Sequence, residues 1–396
     1  RGARDPRLPL MRVRARDCAA ALLALVGFAG AQVTPLVAPV PDGSGEPSLC
    51  RAPDGRVLLS WVEPAEGGHG LRYAALEDGA WSEPTTVATG ARWFVNWADF
   101  PQLLALPDGG LVAHWRAMRG EGTYEYDVLM ARAESGAQAF GEAFRPHDDG
   151  VAAEHGFVSM APLSGGRLGV AWLDGREMPG GGSMTLRYVE VAPGGALENP
   201  VLLDPRVCEC CQTAMARTDS GLVLVYRDRS EDEVRDIGLI RQVDGEWTAP
   251  RTLGGGGWKI PGCPVNGPSI AAAGRRVAVG WFTAEGGRAR VQLARSDDAG
   301  ASFGPPVTVD DAHPVGRVAL RMLEDGTVWV CWLAADGKDG VICLQAFPSD
   351  GDPEDPIPVA RVGAGRATGF PQFIPAGSDF IVAWTEGRVR TARVAR

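Results

Sequence analysis

Val277-Ala278-Val279-Gly280-Trp281 is an apolar run that ends in an aromatic residue, and runs of the same form recur along the chain. One repeat earlier, the equivalent run is Leu222-Val223-Leu224-Val225-Tyr226. The terminal aromatic residues are spaced 51 to 57 residues apart, at Trp61, Trp115, Trp172, Tyr226, Trp281, Trp332 and Trp384. A repeat of about fifty residues with buried, strand-like apolar runs is typical of propeller blades. We therefore predict an all-β fold, a seven-bladed β-propeller.

Each repeat divides into four predicted strands, A to D. In the first unit these are residues 47–53, 57–62, 71–76 and 81–88. The A–B turns carry Asp and Gly, as in Pro53-Asp54-Gly55, because such turns need residues that tolerate a positive φ. The seventh unit has no strand D of its own, and residues 33–40 are predicted to supply it, which closes the ring and removes an exposed edge. A six-bladed ring and an open solenoid are the alternatives.

The N-terminal segment resembles an export signal. A basic run at Met11–Arg16 precedes the apolar segment Cys18–Gly30, which ends in small residues. We predict a signal within residues 1–31 and a single propeller domain over residues 32–396. The apolar segment is short for a bilayer span, and a retained anchor is the alternative. The protein is expected to be exported, periplasmic or extracellular, without a membrane span after cleavage, in a compartment that permits disulfides.

The charge balance limits the classes of partner. The chain carries 39 Lys and Arg against 49 Asp and Glu, a formal net charge of −10. Non-specific nucleic-acid binding needs clustered positive charge, so that class is excluded. We expect a monomer whose partner is a small molecule or a glycan bound at the mouth of the propeller.

One turn carries a family resemblance. Ser296-Asp297-Asp298-Ala299-Gly300-Ala301-Ser302-Phe303 lies between strands C and D of the fifth unit. It resembles the Asp-box, S-x-D-x-G-x-[S/T]-[W/F], of the sialidase (BNR-repeat) superfamily, and looser forms occupy the equivalent turns at 78–81, 134–140 and 244–247. The box is expected to be structural, because its Asp side chain can cap the N–H groups of the turn. The resemblance covers the whole array of blades and implies a sialidase-like propeller.

The same resemblance implies a site for an exo-glycosidase. Sialidases hold the substrate carboxylate with three Arg, use a Tyr nucleophile assisted by a Glu, and use an Asp as acid/base. The residues of this chain that would bind the anionic group are Arg176, Arg229 and Arg235. The candidates for the catalytic groups are Tyr124 or Tyr126 as nucleophile, and Asp99, Asp127 or Asp174 as acid/base.

The residues themselves place the site on one face. In a propeller the D–A and B–C connections surround one end of the central channel, and units 2 to 5 carry most of the unusual polar residues on these connections. The D–A connections include 96–99, 154–157, 208–212 and 262–266, and the B–C connections include 122–127, 174–177 and 227–236. Asn96 and Asp236, which lie on them, are further predicted substrate contacts. Loops on a rigid scaffold commonly build binding sites, so we predict the site at this mouth.

The cysteines fall into separate groups. Cys208, Cys210 and Cys211 lie within four residues, and Cys263 approaches from the next unit. Three interpretations remain open: a disulfide from Cys208 or Cys211 to Cys263, a thiolate site for Cu(I) or Zn(II) that includes His155, and a reactive thiol.

Two other cysteine predictions concern the blades. Cys331 and Cys343 are equidistant from Gly337, which favours a cross-strand disulfide over simple packing. Cys50 is predicted to be a buried apolar residue.

Three functional hypotheses follow. The first is an exported glycan-directed enzyme of the sialidase-like class, and the second is a Cu or Zn protein, either an oxidoreductase or a metal carrier. The third is a propeller without catalysis that binds a glycan or a protein. The resemblance favours the first.

Overall fold

The computed structural model describes residues 32–137 and 139–396, so the predicted export signal lies outside the described residues. The described residues form seven antiparallel sheets of three to five strands, which succeed one another along the chain. This arrangement confirms the predicted seven-bladed β-propeller. The described part of the chain contains no helix that is long and apolar enough to cross a lipid bilayer.

The strands are given blade by blade from the axis outward. Blade 1 consists of Gly45–Arg51, Val57–Ala65, Gly68–Glu77, Ala80–Trp81 and Thr85–Gly90. Blade 2 consists of Gln102–Ala105, Leu111–Met118 and Tyr126–Ala133. Blade 3 consists of His155–Pro162, Leu168–Asp174, Thr185–Val191 and Leu197–Asp204. Blade 4 consists of Ala214–Thr218, Gly221–Arg227, Ile237–Val243, Glu246–Trp247 and Arg251–Leu253. Blade 5 consists of Ser269–Ala273, Arg276–Thr283, Arg290–Ser296 and Val307–Asp310. Blade 6 consists of Pro314–Met322, Val328–Asp336, Asp339–Phe347 and Ile357–Gly363. Blade 7 consists of Gln372–Ala376, Asp379–Glu386, Arg388–Ala395 and Val33–Leu36. Short 3₁₀ turns occur at Ser164–Gly166, Met178–Gly180, Glu285–Gly287 and Arg366–Thr368.

The apolar B strands are buried on both faces because each blade packs between two others. Seven clusters of buried apolar side chains lie between consecutive blades. One of them joins the last blade to the first, with Ile374 and Ile381 of blade 7 packed against Leu59 and Trp61 of blade 1. The ring is therefore closed by a core as well as by hydrogen bonds.

The N-terminal strand completes blade 7, as predicted. Val33–Leu36 pairs antiparallel with Arg388–Ala395, in a register that places Val33 opposite Val394. The Ala395 N–H also donates to the Gln32 carbonyl at 3.0 Å. The edge that the C-terminal strand would otherwise expose is thus covered.

The C–D turn of blade 5 shows how its Asp side chain organises the backbone. Asp298 accepts hydrogen bonds from the N–H of Ser302 at 2.8 Å and from its hydroxyl at 2.6 Å. Ser296 Oγ accepts the Gly300 N–H at 2.9 Å and donates to Asp298 at 2.7 Å. Phe303 packs against the cluster between blades 4 and 5. These contacts are structural, as the sequence predicts.

Candidate functional site

The D–A connections of neighbouring blades are joined to one another around the mouth. Gln212, before blade 4, donates to the carbonyl of Ala98, before blade 2, and accepts the N–H of Gly267, before blade 5, at 3.0 Å. Asn266 Oδ1 then accepts the N–H of Arg317 in blade 6 at 2.7 Å. The connections therefore form one continuous rim rather than independent loops.

A recurrent bulge shapes the start of several innermost strands. Glu46, Phe157 and Arg317, in blades 1, 3 and 6, each follow a glycine and have positive φ values of 56°, 52° and 56°. The strand register shifts at each of these sites. Bulges of this kind re-aim a side chain next to a site. Left-handed backbone at non-glycine residues is costly and is retained where the surroundings require it.

We call Glu46, Asp99, Arg116, Tyr126 and Glu154 the acid cluster. The Tyr126 hydroxyl donates to Glu154 Oε1 at 2.8 Å and lies 3.5 Å from Asp99 Oδ2. Arg116 Nε lies 3.3 Å from the same Asp99 oxygen, and both side chains are buried. The other Asp99 oxygen accepts the N–H of the Phe157 bulge at 2.9 Å. Blades 1, 2 and 3 thus bring three carboxyl groups and a single guanidinium together.

Burial dominates the electrostatics of the acid cluster. It raises the pKa of Glu46 to about 8, with a further contribution from the Asp99 charge, although Arg116 acts in the opposite direction. Burial also raises the pKa of Glu154 to about 7, against the hydrogen bond from Tyr126. The pKa of Asp99 is raised for the same reason. Among the described residues, neither terminal nitrogen of Arg116 finds a hydrogen-bond partner, and the same holds for Glu46 Oε2.

Glu46 connects this cluster to an open cavity of about 330 Å³. The cavity lies between blades 7, 1 and 2, and its lining includes Glu46, His69, Trp97, Phe100 and Phe370. The Trp97 ring stacks on Phe370 with 5.9 Å between centroids. An aromatic platform beside a carboxyl group is an arrangement that binds a flat, partly apolar ligand with a polar edge.

A second charged group lies next to the acid cluster, between blades 2 and 3, and we call it the histidine network. Its members are Asp127, Asp149, Asp174, His147, His155, Arg119, Arg145 and Arg176. The rings of His147 and His155 are stacked, with centroids 4.0 Å apart. Asp149 Oδ2 lies 3.1 Å from a nitrogen of each ring.

The carboxylates of the histidine network are compensated by cations. Arg145 Nε lies 2.6 Å from Asp127, and Arg176 forms two short contacts, of 2.8 and 2.6 Å, with Asp174. Burial opposes ionisation of Asp174, yet the hydrogen bonds and charge of Arg176 and the charge of His155 lower its pKa. Burial and the His155 charge lower the pKa of His147 to about 4, so that ring is neutral at pH 7.

The geometry of this network also bears on metal binding. The sets Asp127–His147–His155 and Asp149–His155–Asp174 each bring three ligand atoms within 4.8 Å of one another. However, Arg176 already contacts both Asp149, at 3.2 Å, and Asp174. The carboxylates are therefore neutralised by guanidinium groups, and a divalent cation would have to displace them.

His155 does not join the cysteines with which the sequence analysis grouped it. Its Nδ1 faces the carbonyls of Tyr126 and Ala153 at 3.2 and 3.1 Å, and its Nε2 faces Asp149. Because both ring nitrogens face acceptors, neither is directed at a sulfur. The ring belongs to the histidine network.

Cys208, Cys210, Cys211 and Cys263 form the thiol cluster. Cys208 Sγ lies 3.8 Å from Cys210 Sγ and 3.6 Å from Cys211 Sγ. Cys208 and Cys211 are buried, whereas Cys263 is exposed. An S–S bond is about 2.05 Å long, so these separations do not correspond to disulfides. All four cysteines are free thiols, so the disulfide, one of the three interpretations, is not borne out.

The predicted Cys331–Cys343 disulfide is wrong because the strand register differs from the expected one. Cys331 pairs with Leu344, and Cys343 pairs with Trp332. The turn has two central residues, Gly337 and Lys338, and not one, so the two cysteines are offset by one position. Successive side chains of a strand point to opposite faces, and the two thiols enter different cores.

The other predicted site residues are distributed as follows. Arg229 pairs with Glu209 and Glu233, and Arg235 pairs with the same two carboxylates at 2.9 and 2.8 Å. Asp236 accepts the N–H groups of Gly257 and Trp258, and Asn96 accepts the Ala98 N–H at 2.9 Å. Tyr124 is 59% exposed, in contrast to the buried Tyr126. The predicted roles of these residues stay predictions.

Glu46 and Arg116 were not predicted as site residues from the sequence. Glu46 is the second residue of the innermost strand of blade 1, directly after the D–A connection, and applying to blade 1 the rule used for blades 2 to 5 would have led to it. The Gly-x pair that precedes the bulges in blades 1, 3 and 6 is a further signal. Arg116 follows the aromatic residue of a B strand, and nothing local distinguishes it from a solvated strand end.

Known proteins resemble this chain in structure. No family model matches it, and no curated protein does. The chain is similar to the α-L-arabinofuranosidase of Fusarium graminearum complexed with arabinobiose, at 12% identity and a TM-score of 0.53 over 92% of this chain and 98% of that one. It is also similar to the α-L-arabinanase of Penicillium chrysogenum, at 13% identity and a TM-score of 0.50 over 92% of this chain and 98% of that one. A protein from Dyadobacter fermentans is similar at 14% identity and a TM-score of 0.53, over 93% of this chain and 100% of that one. Identities this low show a shared fold, the propeller that these glycosidases also adopt.

Proposed function

We propose that this chain is a glycan-directed hydrolase of the exo-glycosidase type, with its reacting groups in the acid cluster at the mouth of the propeller. The observation that carries the proposal is the position of Glu46. Its carboxyl group lines the cavity that also presents Trp97, and one of its oxygens is buried without a partner among the described residues. Buried, unpaired carboxyl groups in a cleft are typical of acid/base sites.

The chemistry needs two carboxyl groups in different protonation states. Glu46, whose pKa burial raises to about 8, is protonated at pH 7 and would donate its proton to the glycosidic oxygen. Glu154, whose pKa burial raises to about 7, would accept the proton of the attacking water. The hydroxide then bonds to the anomeric carbon, the glycosidic bond breaks, and the leaving alcohol carries the Glu46 proton.

Tyr126 is placed to position Glu154. Its hydroxyl donates to Glu154, as the resemblance to sialidases implies for a Tyr–Glu pair, but Phe94 stacks on its ring at 4.1 Å and the residue is buried. In this geometry Tyr126 orients the carboxylate. It becomes the nucleophile only if Phe94 moves aside.

The substrate class is proposed from the resemblance and from the donors at the rim. An anionic sugar is what a sialidase-like site binds, and the terminal nitrogens of Arg116 are donors without partners among the described residues. Arg176, Arg229 and Arg235 would bind such a group only after leaving the carboxylates that they contact. Glycans outside the cell would also suit the predicted export.

The test is turnover of fluorogenic sialosides, uronides and α-L-arabinosides, the last because two of the similar structures act on arabinose-containing glycans. We expect the Glu46→Gln variant to lower kcat by about 10²- to 10⁴-fold on any substrate that is turned over, the usual contribution of a general acid. We also expect kcat/KM to be highest between the pKa values of Glu154 and Glu46, that is between about pH 7 and 8.

Glu121→Gln is the matched control, because Glu121 lies on the same face, in the B–C connection of blade 2, and its side chain is 93% exposed. It should leave turnover unchanged. A folded protein that binds these glycans without hydrolysing any of them would support the propeller without catalysis and overturn the proposal. Full activity of Glu46→Gln would also overturn it.

A further inference from the structure

The thiol cluster is built from two neighbouring connections at the rim. Cys208, Cys210 and Cys211 precede strand A of blade 4, and Cys263 lies in the long connection from Leu253 to Ser269. Cys208 has two sulfur neighbours at nearly equal distances, 3.8 and 3.6 Å. Four thiolates at the usual Zn–S distance of about 2.3 Å in a tetrahedron would be about 3.8 Å apart. The observed separations match that edge.

Hydrogen-bond donors surround the sulfur atoms. Arg235 Nη1 lies 3.1 Å from Cys208 Sγ, and the Asn266 N–H lies 3.4 Å from Cys211 Sγ. Donors directed at sulfur stabilise the negative charge of a thiolate, the form in which cysteine binds metals. Arg235 is almost completely buried, so its charge is poorly screened at this distance.

The arrangement suits an ion better than a disulfide. A Cys208–Cys211 bond would use one pair of sulfurs and leave out Cys210, whose Sγ lies 3.8 Å from Cys208 Sγ. By contrast, a single ion can bind Cys208, Cys210 and Cys211 together, because their sulfurs lie within 4.8 Å of one another. Cys263 approaches from the next connection, with its Sγ 4.0 Å from Glu209, the carboxylate that pairs with Arg235. Thiolate ligands select soft or borderline d¹⁰ cations over hard ones.

We propose that Cys208, Cys210, Cys211 and Cys263 bind one thiophilic d¹⁰ cation, Cu(I) or Zn(II), which fastens the 254–268 connection to blade 4. That connection begins with Gly254–Gly257 and has no regular strand. Its hydrogen bonds to blade 4 include Arg235 N–H to the Trp258 carbonyl at 2.8 Å and Ile260 N–H to the Glu233 carbonyl at 3.0 Å. The ion would add a further attachment, at Cys263.

Metal content tests the site directly. The full chain is purified under reducing conditions without chelator, its thiols are counted, and it is then incubated with Zn(II) or Cu(I) alone. We expect about one ion per chain, and thiolate-to-metal charge-transfer absorption when Co(II) replaces Zn(II). Retention of Zn(II) or of Cu(I) distinguishes the two ions.

Two variants and a control identify the ligands. Cys208→Ser and Cys263→Ser should each weaken binding by at least about tenfold, whereas Cys50→Ala, which removes a thiol from strand A of blade 1, should not change it. Cys263 is exposed, so its substitution leaves the core intact even if Cys208→Ser fails to fold. No bound ion in protein with reduced thiols, or equal binding by Cys263→Ser, would overturn the proposal.

The two lysines of the chain provide a second measurement. Lys259 lies in the connection that the ion would fasten, and Lys338 lies at the tip of the blade 6 hairpin; both are exposed. A lysine-specific protease should therefore cut the described domain at these two positions alone. Removing the ion should accelerate cleavage after Lys259 by about tenfold or more and leave cleavage after Lys338 unchanged. Equal cleavage after Lys259 with and without the ion would contradict the fastening role.

Discussion

The acid cluster and the histidine network lie side by side on the same rim, and both contain buried or partly buried carboxyl groups. They differ in how many cationic side chains offset the charges of their carboxyl groups. The histidine network sets three arginines against three aspartates, and the pKa values of Asp149 and Asp174 are lowered there although burial acts the other way. In the acid cluster one arginine faces three carboxyl groups, and the pKa values of Glu46 and Glu154 are raised by burial. Position on the rim is therefore not enough to identify a site, whereas incomplete compensation is informative.

The largest expected effect would come from breaking the compensated group. Asp174→Asn removes the charged partner of Arg176 and of His155 from a fully buried position, and the Trp172 indole also donates to this carboxylate at 2.7 Å. We expect a loss of about 3 kcal/mol in the free energy of unfolding, because Arg176 then keeps only its Asp149 contact and the buried Trp172 indole loses a charged acceptor. Urea unfolding at pH 7 measures it.

Glu154→Gln is the matched change in the acid cluster. It removes a carboxyl group that burial already makes unfavourable to ionise, so its cost should be below about 1 kcal/mol. Similar losses of unfolding free energy in Asp174→Asn and Glu154→Gln would mean that cations offset the carboxyl groups of the two clusters equally. That result would contradict the difference drawn between them.

The next largest effect is a loss of folding stability as the pH rises into the alkaline range. The folded-state pKa of Glu46 is raised to about 8 from a reference of 4.5, so the folded protein holds a proton that the unfolded chain has already lost. Its contribution to stability is complete below the unfolded pKa and is lost as pH rises through about 8. Between pH 6 and pH 9 we expect a loss of about 2 kcal/mol, after allowance for solvent screening.

Glu46→Gln should remove the part of that slope above about pH 7, and thermal unfolding at a series of pH values measures it. The part below about pH 7 should remain, because the raised pKa of Glu154 contributes there. The other charged groups that face Glu46 are Arg116 and Asp99, and His69 lines the same cavity. A wild-type slope above pH 7 that persists in Glu46→Gln would assign the titration to one of these groups instead.

The smallest effect concerns Tyr126→Phe. The hydrogen bond from the Tyr126 hydroxyl partly offsets the burial of Glu154, so its loss should raise the pKa of Glu154 further. We expect an alkaline shift of up to about one pH unit and a cost of about 1 kcal/mol in stability. Carboxyl NMR titration measures the shift with or without a substrate. An unchanged Glu154 titration would show that the contact does not influence the site.

The sequence determined the architecture well because the repeat signal is strong and local. The recurring aromatic residues of the B strands indicated the number of blades, and the unmatched strand at Val33–Leu36 indicated the closure. The Cys331–Cys343 prediction failed over a single residue of register. Equidistance from Gly337 assumed a turn centred on one residue, whereas a two-residue turn moves every partner by one position.

The site was predictable as a face but not as a set of partners. The connections that carry Asp99, Tyr126 and Glu154 were placed at the mouth from strand order alone. The pairing of carboxylates with cations depends on contacts between distant segments, such as Arg116 with Asp99. The sequence pattern does not reveal these contacts. The same limit explains why His155 was grouped with the cysteines, since neighbouring blades bring several clusters to one rim.

The pairing of Val33–Leu36 with Arg388–Ala395 has a consequence for biosynthesis. These two strands are separated by about 350 residues of chain, so their contact has the highest loop-closure cost in the fold. Blades 1 to 6 can assemble in order as they leave the ribosome, because each is a contiguous segment. Blade 7 can form only after translation has passed residue 395, and until then the first and last cores of the ring stay open to solvent and to chaperones.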